Sequence, residues 1–226
     1  MTDEPQLIDV ELLRLDGSTF FRADVPEAAG ADPRDRRGIE MGRAVIAAIE
    51  AGDRAFVGLA LRGVQLSKSD LRCSSFRHSY LVRADLRGAE ADGCSFEGAD
   101  LSTADLSNMK APYEFTNAKL SHAKLFGVDL YGCDLSRTDL RSADVTGARF
   151  GKDTLKRHIA SVDRSDGYTF HAFELEDGTM KVAAGCRWFT VDEYEAHIAE
   201  RYPNTSLADE TLAILEFLDT RWRQLK

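Results

Sequence analysis

The sequence has no run of about 20 apolar residues, so nothing in it reads as a membrane-spanning helix. It opens MTDEPQLIDV, acidic where a secretory signal would be basic, and the expected compartment is the cytoplasm. Cysteine is scarce. Cys73, Cys94, Cys133 and Cys186 form no C-x-x-C pair and have no histidine run beside them. A metal site and cofactors are therefore not expected, and the thiols are expected to be reduced. An excess of positive charge is also missing: the formal net charge of -9 argues against free nucleic acid as the main partner. No G-x-S-x-G, H-E-x-x-H, Walker or dinucleotide-binding pattern occurs, so none of the common catalytic constellations is announced. What is present is enough apolar material for a real core, 43% of 226 residues, and that excludes disorder throughout.

The charge is unevenly spread. Residues 1–60 carry 7 basic and 12 acidic side chains, residues 61–150 carry 12 of each, and residues 151–226 carry 10 and 14. The flanks hold the acidic excess, and the middle is neutral.

That middle has a period of its own. From Leu66 to Phe150 a large apolar residue recurs every five positions, as in Leu81, Leu86, Phe96, Leu101 and Leu106, and a small one, Ala84, Ala89, Cys94, Ala99 or Ala104, lies two positions earlier. Five matches neither the period of two of a strand nor the 3.6 of a helix, so the repeat is an architecture in itself. The strings RADL, GADL, TADL and SADV resemble the A(D/N)Lxx pattern of the pentapeptide repeat family. The resemblance covers residues 61–150. It implies a right-handed, quadrilateral β-helix of about four coils, a β solenoid with one pentapeptide per face, in which residues 20 apart stack at roughly 4.8 Å.

The step from Ala111 to Leu120 is one residue short. With Phe115 as the missing face centre, Phe76, Phe96, Phe115 and Leu135 form one stacked column. Ala91 and Ala111 are small where leucine is preferred; neighbouring phenylalanines or Met109 fill the space, or a cavity is left.

Both flanks read as small α+β capping modules. In residues 1–60, strands are expected around the turn Asp16-Gly17, then a loop broken by Pro33, then a helix over 39–51 with Ile39, Val45, Ile46 and Ile49 on one side. In residues 151–226, a hairpin over 168–184 precedes two helices. One is capped by Thr190 with Glu193, and the other spans about 207–224. The apolar stripe of the second helix, with Leu215, Leu218 and Trp222 and widened by Leu212, Ile214 and Phe217, needs a cover, and a second copy of the chain is the favoured one over the hairpin.

No enzyme is expected. Cys186, with His158, His171 or His197 near it, is the weak exception, and its apolar setting reads as core. The repeated aspartates, such as Asp100 with Asp105 or Asp139 with Asp144, read as turn caps rather than paired acids. The expected function is a scaffold for a protein partner. Its candidate contacts are the outward apolar residues Pro112, Phe126 and Tyr131 and the basic residues Arg72, Arg77 and Arg87 of the first coils. As an alternative, the resemblance implies a dimeric DNA mimic that binds bacterial type II topoisomerase (gyrase) and inhibits or protects it. Those relatives are strongly acidic along the solenoid, and this solenoid is neutral.

Overall fold

The computed structural model describes residues 6–110, 114–185 and 187–226. A β solenoid forms its middle. Parallel bridges join residues 20 apart once every five residues, from Ala55↔Ser75 and Ala60↔Tyr80 onward, and the last is Asp129↔Arg149. Between coils, Leu86 N donates to Asp105 O (2.8 Å) and Asp105 N to Ala84 O (2.9 Å). The spacing falls to 19 at Ser95↔Glu114, Asp100↔Lys119 and Asp105↔Lys124, and returns to 20 at Glu114↔Asp134. The missing residue therefore lies between Lys110 and Glu114, where the face centres had placed it.

Each corner is a turn in which the third residue on bonds back to the face centre's carbonyl, as Ala89 N does to Leu86 O (3.1 Å). The residue before that donor is left-handed. Gly88 takes this position at φ 65, but Lys68, Cys73 and His78 take it too, at φ 60, 56 and 57. Left-handed backbone is costly outside glycine, so the stacked ladder imposes it. The centres fill the lumen. Phe56, Phe76, Phe96 and Phe115 stack with centroids 5.1, 5.6 and 5.4 Å apart, and Phe20 closes the column edge-on at 5.7 Å. Met109 and the small Ala91 are both buried in the solenoid core; Ala111 lies outside the described residues.

At the N-terminal end, β1 (Leu7–Leu13) and β2 (Thr19–Pro26) form the expected hairpin, followed by α1 (Pro33–Glu50). Pro33 does not break an element. It is the first helical residue, where its missing N–H costs nothing, and Asp32 caps it by accepting from Arg34 N at 2.8 Å. The buried face of α1 is Gly38, Met41, Gly42, Ala44, Val45 and Ala48, and Ile46 is exposed. The small residues face inward because α1 touches the solenoid backbone itself. Gln65 N donates to Gly38 O at 3.0 Å, and a Cβ on Gly42 would lie 1.9 Å from Gln65 O.

At the C-terminal end the ladder runs into a sheet of order β3-β4-β5-β6-β7, all antiparallel: β3 (Arg149–Phe150), β4 (Asp153–Asp163), β5 (Thr169–Leu175), β6 (Met180–Ala184) and β7 (Arg187–Phe189). The hairpin expected over 168–184 is β5 and β6; β4 and β7 were not foreseen. Strand β5 is buried throughout. Phe173 and Leu175 join the solenoid core, whereas Phe170 and Ala172 join a second core under α2 (Val191–Arg201) and α3 (Ser206–Gln224). Thr190 and Glu193 make the expected capping box on α2. No helix among the described residues is long and apolar enough to cross a membrane.

Candidate functional site

The aspartate before each face centre accepts the backbone N–H two residues on. Asp100 takes it from Ser102, Asp105 from Ser107, Asp139 from Arg141 and Asp144 from Thr146, each at 3.1 Å. This is an Asx turn at the corner, and it explains why the motif carries Asp. The side-chain bond from Arg141 leads in holding the Asp139 carboxyl below its ordinary range, with the Arg141 backbone N–H adding to it. The carboxylates are occupied structurally and do not converge as an acid pair.

The basic residues are occupied as well. Arg72 forks onto Asp70 (2.9 and 2.7 Å) and Arg87 onto Asp85 (2.8 and 2.6 Å); Arg77 pairs with Glu97 one coil on. Arg87 lies two corners beyond Arg77, so the three do not form one patch. A second set was missed in the sequence. Lys110, Lys119 and Lys124 sit at equivalent positions on three faces and reach back to Glu90 (2.8 Å), Asp100 (3.5 Å) and Asp105 (3.4 Å). Lys119 and Lys124 also bridge forward to Asp139 and Asp144 through the backbone ladder. Reading the sequence in register 20 rather than as segment totals would have revealed this cationic ring between acidic ones.

Phe126 and Tyr131 follow successive face centres, on neighbouring corners, and are 53% and 74% exposed. Each ring lies against the next coil at a glycine. A Cβ on Gly147 would meet Phe126 at 2.8 Å, and one on Gly151 would meet Tyr131 at 3.1 Å. The glycines thus give the rings a flat seat. Pro112, the third apolar candidate, lies outside the described residues, as does Cys186.

The histidines form a different constellation from the one weighed with Cys186. His171 is fully buried, and its Nε2 donates to the Leu135 carbonyl at 3.0 Å, a bond that leaves Nδ1 to accept from the Ser161 hydroxyl at 2.7 Å. Ser161 Oγ is 2.9 Å from His158 Nε2. Burial pushes both imidazoles down to about 4, so both are neutral near pH 7. The chain of bonds ties the last coil to β4 and β5. It was hidden because β4 was not recognised. Cys94 and Cys133 are buried free thiols, which burial pushes well up in pKa, and Cys73 is free and exposed.

On α3, Leu215 and Leu218 are fully buried against the chain's own sheet and Trp222 is part-buried, so this face is not open to a second copy. Leu212 and Phe217 do not widen the stripe; they are exposed, at 40% and 54%, and Ile214 is buried. The covering surface is the sheet that includes the hairpin.

A model of pentapeptide repeats matches the chain with eight copies, over residues 60–96, 69–108 and 114–151. Among solved structures, the chain is similar to a pentapeptide repeat protein of the Arabidopsis thaliana thylakoid lumen. The identity is 31%, over 44% of this chain and 68% of that one, with a TM-score of 0.41. It is similar to HetL, a pentapeptide repeat protein involved in heterocyst differentiation regulation from the cyanobacterium Nostoc sp. strain PCC 7120, at 25% identity over 43% and 54%, with a TM-score of 0.33. A third is QnrB1, a plasmid-mediated fluoroquinolone resistance protein, at 24% identity over 43% and 64%, with a TM-score of 0.31. The chain spans 54 to 68% of the length of these proteins. No curated protein matches it. By its matched repeats the chain belongs to the pentapeptide repeat family, and that membership points to a non-catalytic scaffold that works through its surface.

Proposed function

We propose that this chain is a cytoplasmic, non-enzymatic scaffold whose right-handed, four-sided solenoid binds a protein partner along its faces, with Phe126 and Tyr131 as the central contact. The observation that carries this reading is the pair of exposed rings on a backbone already fixed by the coil ladder. Aromatic anchors dominate interface energies, and a rigid seat removes most of the ordering cost of binding. Residues 1–60 and 151–226 act as caps, which leaves the lateral faces as the recognition surface. The charge pattern supports a protein partner over the DNA-mimic alternative. A mimic of duplex DNA needs unbroken lines of negative charge, whereas here Lys110, Lys119 and Lys124 interrupt the acidic columns and neutralise them. A homodimer joined through α3 would have to form on its outer side, at Leu212 and Phe217, since Leu215 and Leu218 are covered.

The test is affinity capture with the wild-type chain, with F126S/Y131S and with R72Q/R77Q/R87Q, all checked for equal melting temperature. The expected result is a protein retained by the wild type and lost by the aromatic double variant. Equal retention by F126S/Y131S would place the contact elsewhere, and loss only in the arginine triple variant would make the first coils the site.

A further inference from the structure

A cleft of about 390 Å³ opens where the sheet meets the turn between α2 and α3. This is small but within the ordinary size of ligand pockets. Phe170, Ala184 and Tyr194, each 2% exposed, form its inner wall, and Tyr168 and Leu207 stand at the mouth. Two arginines line it, and they are in opposite states. Arg164 is spent: it forks onto Asp166 (3.0 and 2.7 Å) and donates to Thr211 Oγ1 (2.8 Å). Its guanidinium lies 5.4 and 5.5 Å from the ring centroids of Tyr168 and Phe170. It therefore occupies the aromatic faces that would otherwise suit a cation, and it is fully neutralised. Arg187 is exposed, and its side chain takes part in no ion pair or hydrogen bond among the described residues.

An apolar, aromatic cavity with one uncompensated guanidinium at its rim selects for a flat apolar body carrying one negative charge. A neutral hydrocarbon would partly desolvate Arg187 without pairing it, and a cation would be repelled by the unpaired Arg187. A planar carboxylate matches the guanidinium fork with two parallel hydrogen bonds. We propose that this cleft is a binding site for a small aromatic carboxylate of one or two rings, the ring lying against Phe170 and Tyr194 and the carboxylate on Arg187.

The probe is naphthoate, titrated into the full-length chain and followed by calorimetry and amide chemical shifts. Saturable one-to-one binding is expected, with shifts concentrated at Tyr168, Ala184, Arg187 and Leu207. R187Q should weaken it roughly tenfold or more, Arg187→Lys should weaken it less, and R77Q on the solenoid should leave it unchanged. Naphthylmethylammonium should bind at least about tenfold more weakly than naphthoate. Arg187 is exposed, so R187Q should keep the wild-type melting temperature. As an independent variant, Leu207→Glu at the mouth should weaken naphthoate and favour the ammonium. No saturable binding of naphthoate, equal affinity for the ammonium, or unchanged affinity in both R187Q and L207E would overturn the site.

Discussion

At its N-terminal end the solenoid is closed by Phe20 set edge-on against Phe56 and, under α1, by backbone lying on backbone, through Gly38 and Gly42 over Gly63 and Gln65. At its C-terminal end it is closed by side chains: Phe150 stacked on Trp188 at 4.1 Å, Phe173 beside them, and the His171–Ser161–His158 chain, of which His171 is buried. The first closure leaves no room for a methyl group and contains no group that titrates near neutrality, since residues 1–60 hold no histidine. The second has a separate core behind it, around Phe170, Tyr194, Ile198, Leu215 and Leu218. The ends should therefore respond to different perturbations, sterically at one and by protonation at the other, and the coils between them provide the scale.

The largest effect belongs to neither end. Leu101 is a fully buried face centre in the middle of the stack. Leu101→Ala should cost about 4 kcal/mol, because neighbours held by coil hydrogen bonds collapse poorly around a cavity. Urea denaturation checks it. If the C-terminal core unfolds as a separate transition, only the solenoid transition should move. A cost below about 1 kcal/mol would mean that the face centres do not fill the lumen.

Acid should come next and act at the C-terminal end alone. His171 is held at about 4 when folded, against about 6.5 unfolded. The unfolded chain thus binds more protons between these values, and stability is fully present above about pH 6.5 and is lost as pH falls toward about 4. The loss for this fully buried ring is about 3 kcal/mol, and His171→Gln should lack that part of the pH dependence. Hydrogen exchange at pH 5 should speed up in β4 and β5 while α1 stays protected. Equal acceleration at both ends would break the comparison.

Gly42→Ala is the counterpart at the other end. On an exposed helix the change would gain about 1 kcal/mol. Here the new methyl group meets the Gln65 carbonyl at 1.9 Å and must push α1 off the first coil, so a loss of about 2 kcal/mol is expected, with faster exchange in α1 and no change in β5. A stabilised variant would show that α1 can lift off without cost.

These contrasts show which parts of the molecule the sequence could express. The repeat was legible because one physical rule, a large residue at every face centre, holds at every step, and even the short step near Glu114 falls where the apolar register placed it. The capping box of Thr190 and Glu193 and the β5–β6 turn were legible for the same reason: they are local. The mode of docking was not. Gly38 and Gly42 read as helix weakeners because their partner, the backbone at Gln65, is near only in space. Strand β4 was invisible because it lacks strict alternation: most of its residues are half-buried, and its register shifts at Leu155/Arg157 and His158/Ala160. With β4 went the histidine chain and the cover for Leu215 and Leu218. Of the site, the exposed rings were legible as apolar residues at outward positions. The arginine partners and the lysine ring appear only when residues 20 apart are set side by side.

The smallest expected effect tests whether the repeated aspartate chemistry of the corners is structural. Asp105 does two things: its carboxylate accepts Ser107 N at 3.1 Å, and it lies 3.4 Å from Lys124 Nζ one coil on. Burial opposes its ionisation, but the Ser107 and Lys124 bonds outweigh it and hold its pKa below the usual carboxylate value. Asp105→Asn keeps an oxygen for the Ser107 amide and removes only the charge. The ion pair is solvent-facing, with the lysine side chain 65% exposed, so the loss should be about 0.5 kcal/mol or less and should vanish in high salt. Asp105→Ala removes the turn acceptor as well and should cost about 1 kcal/mol in total. The order Leu101, then Gly42, then Asp105 follows from where each group sits: in the lumen, at a backbone contact, and at a solvated corner. Were Asp105→Asn to cost as much as Gly42→Ala, the corner carboxylates would be holding coils together through charge. The inter-coil lysine ring, rather than the stacked apolar centres, would then set the stability of the solenoid between its two dissimilar ends.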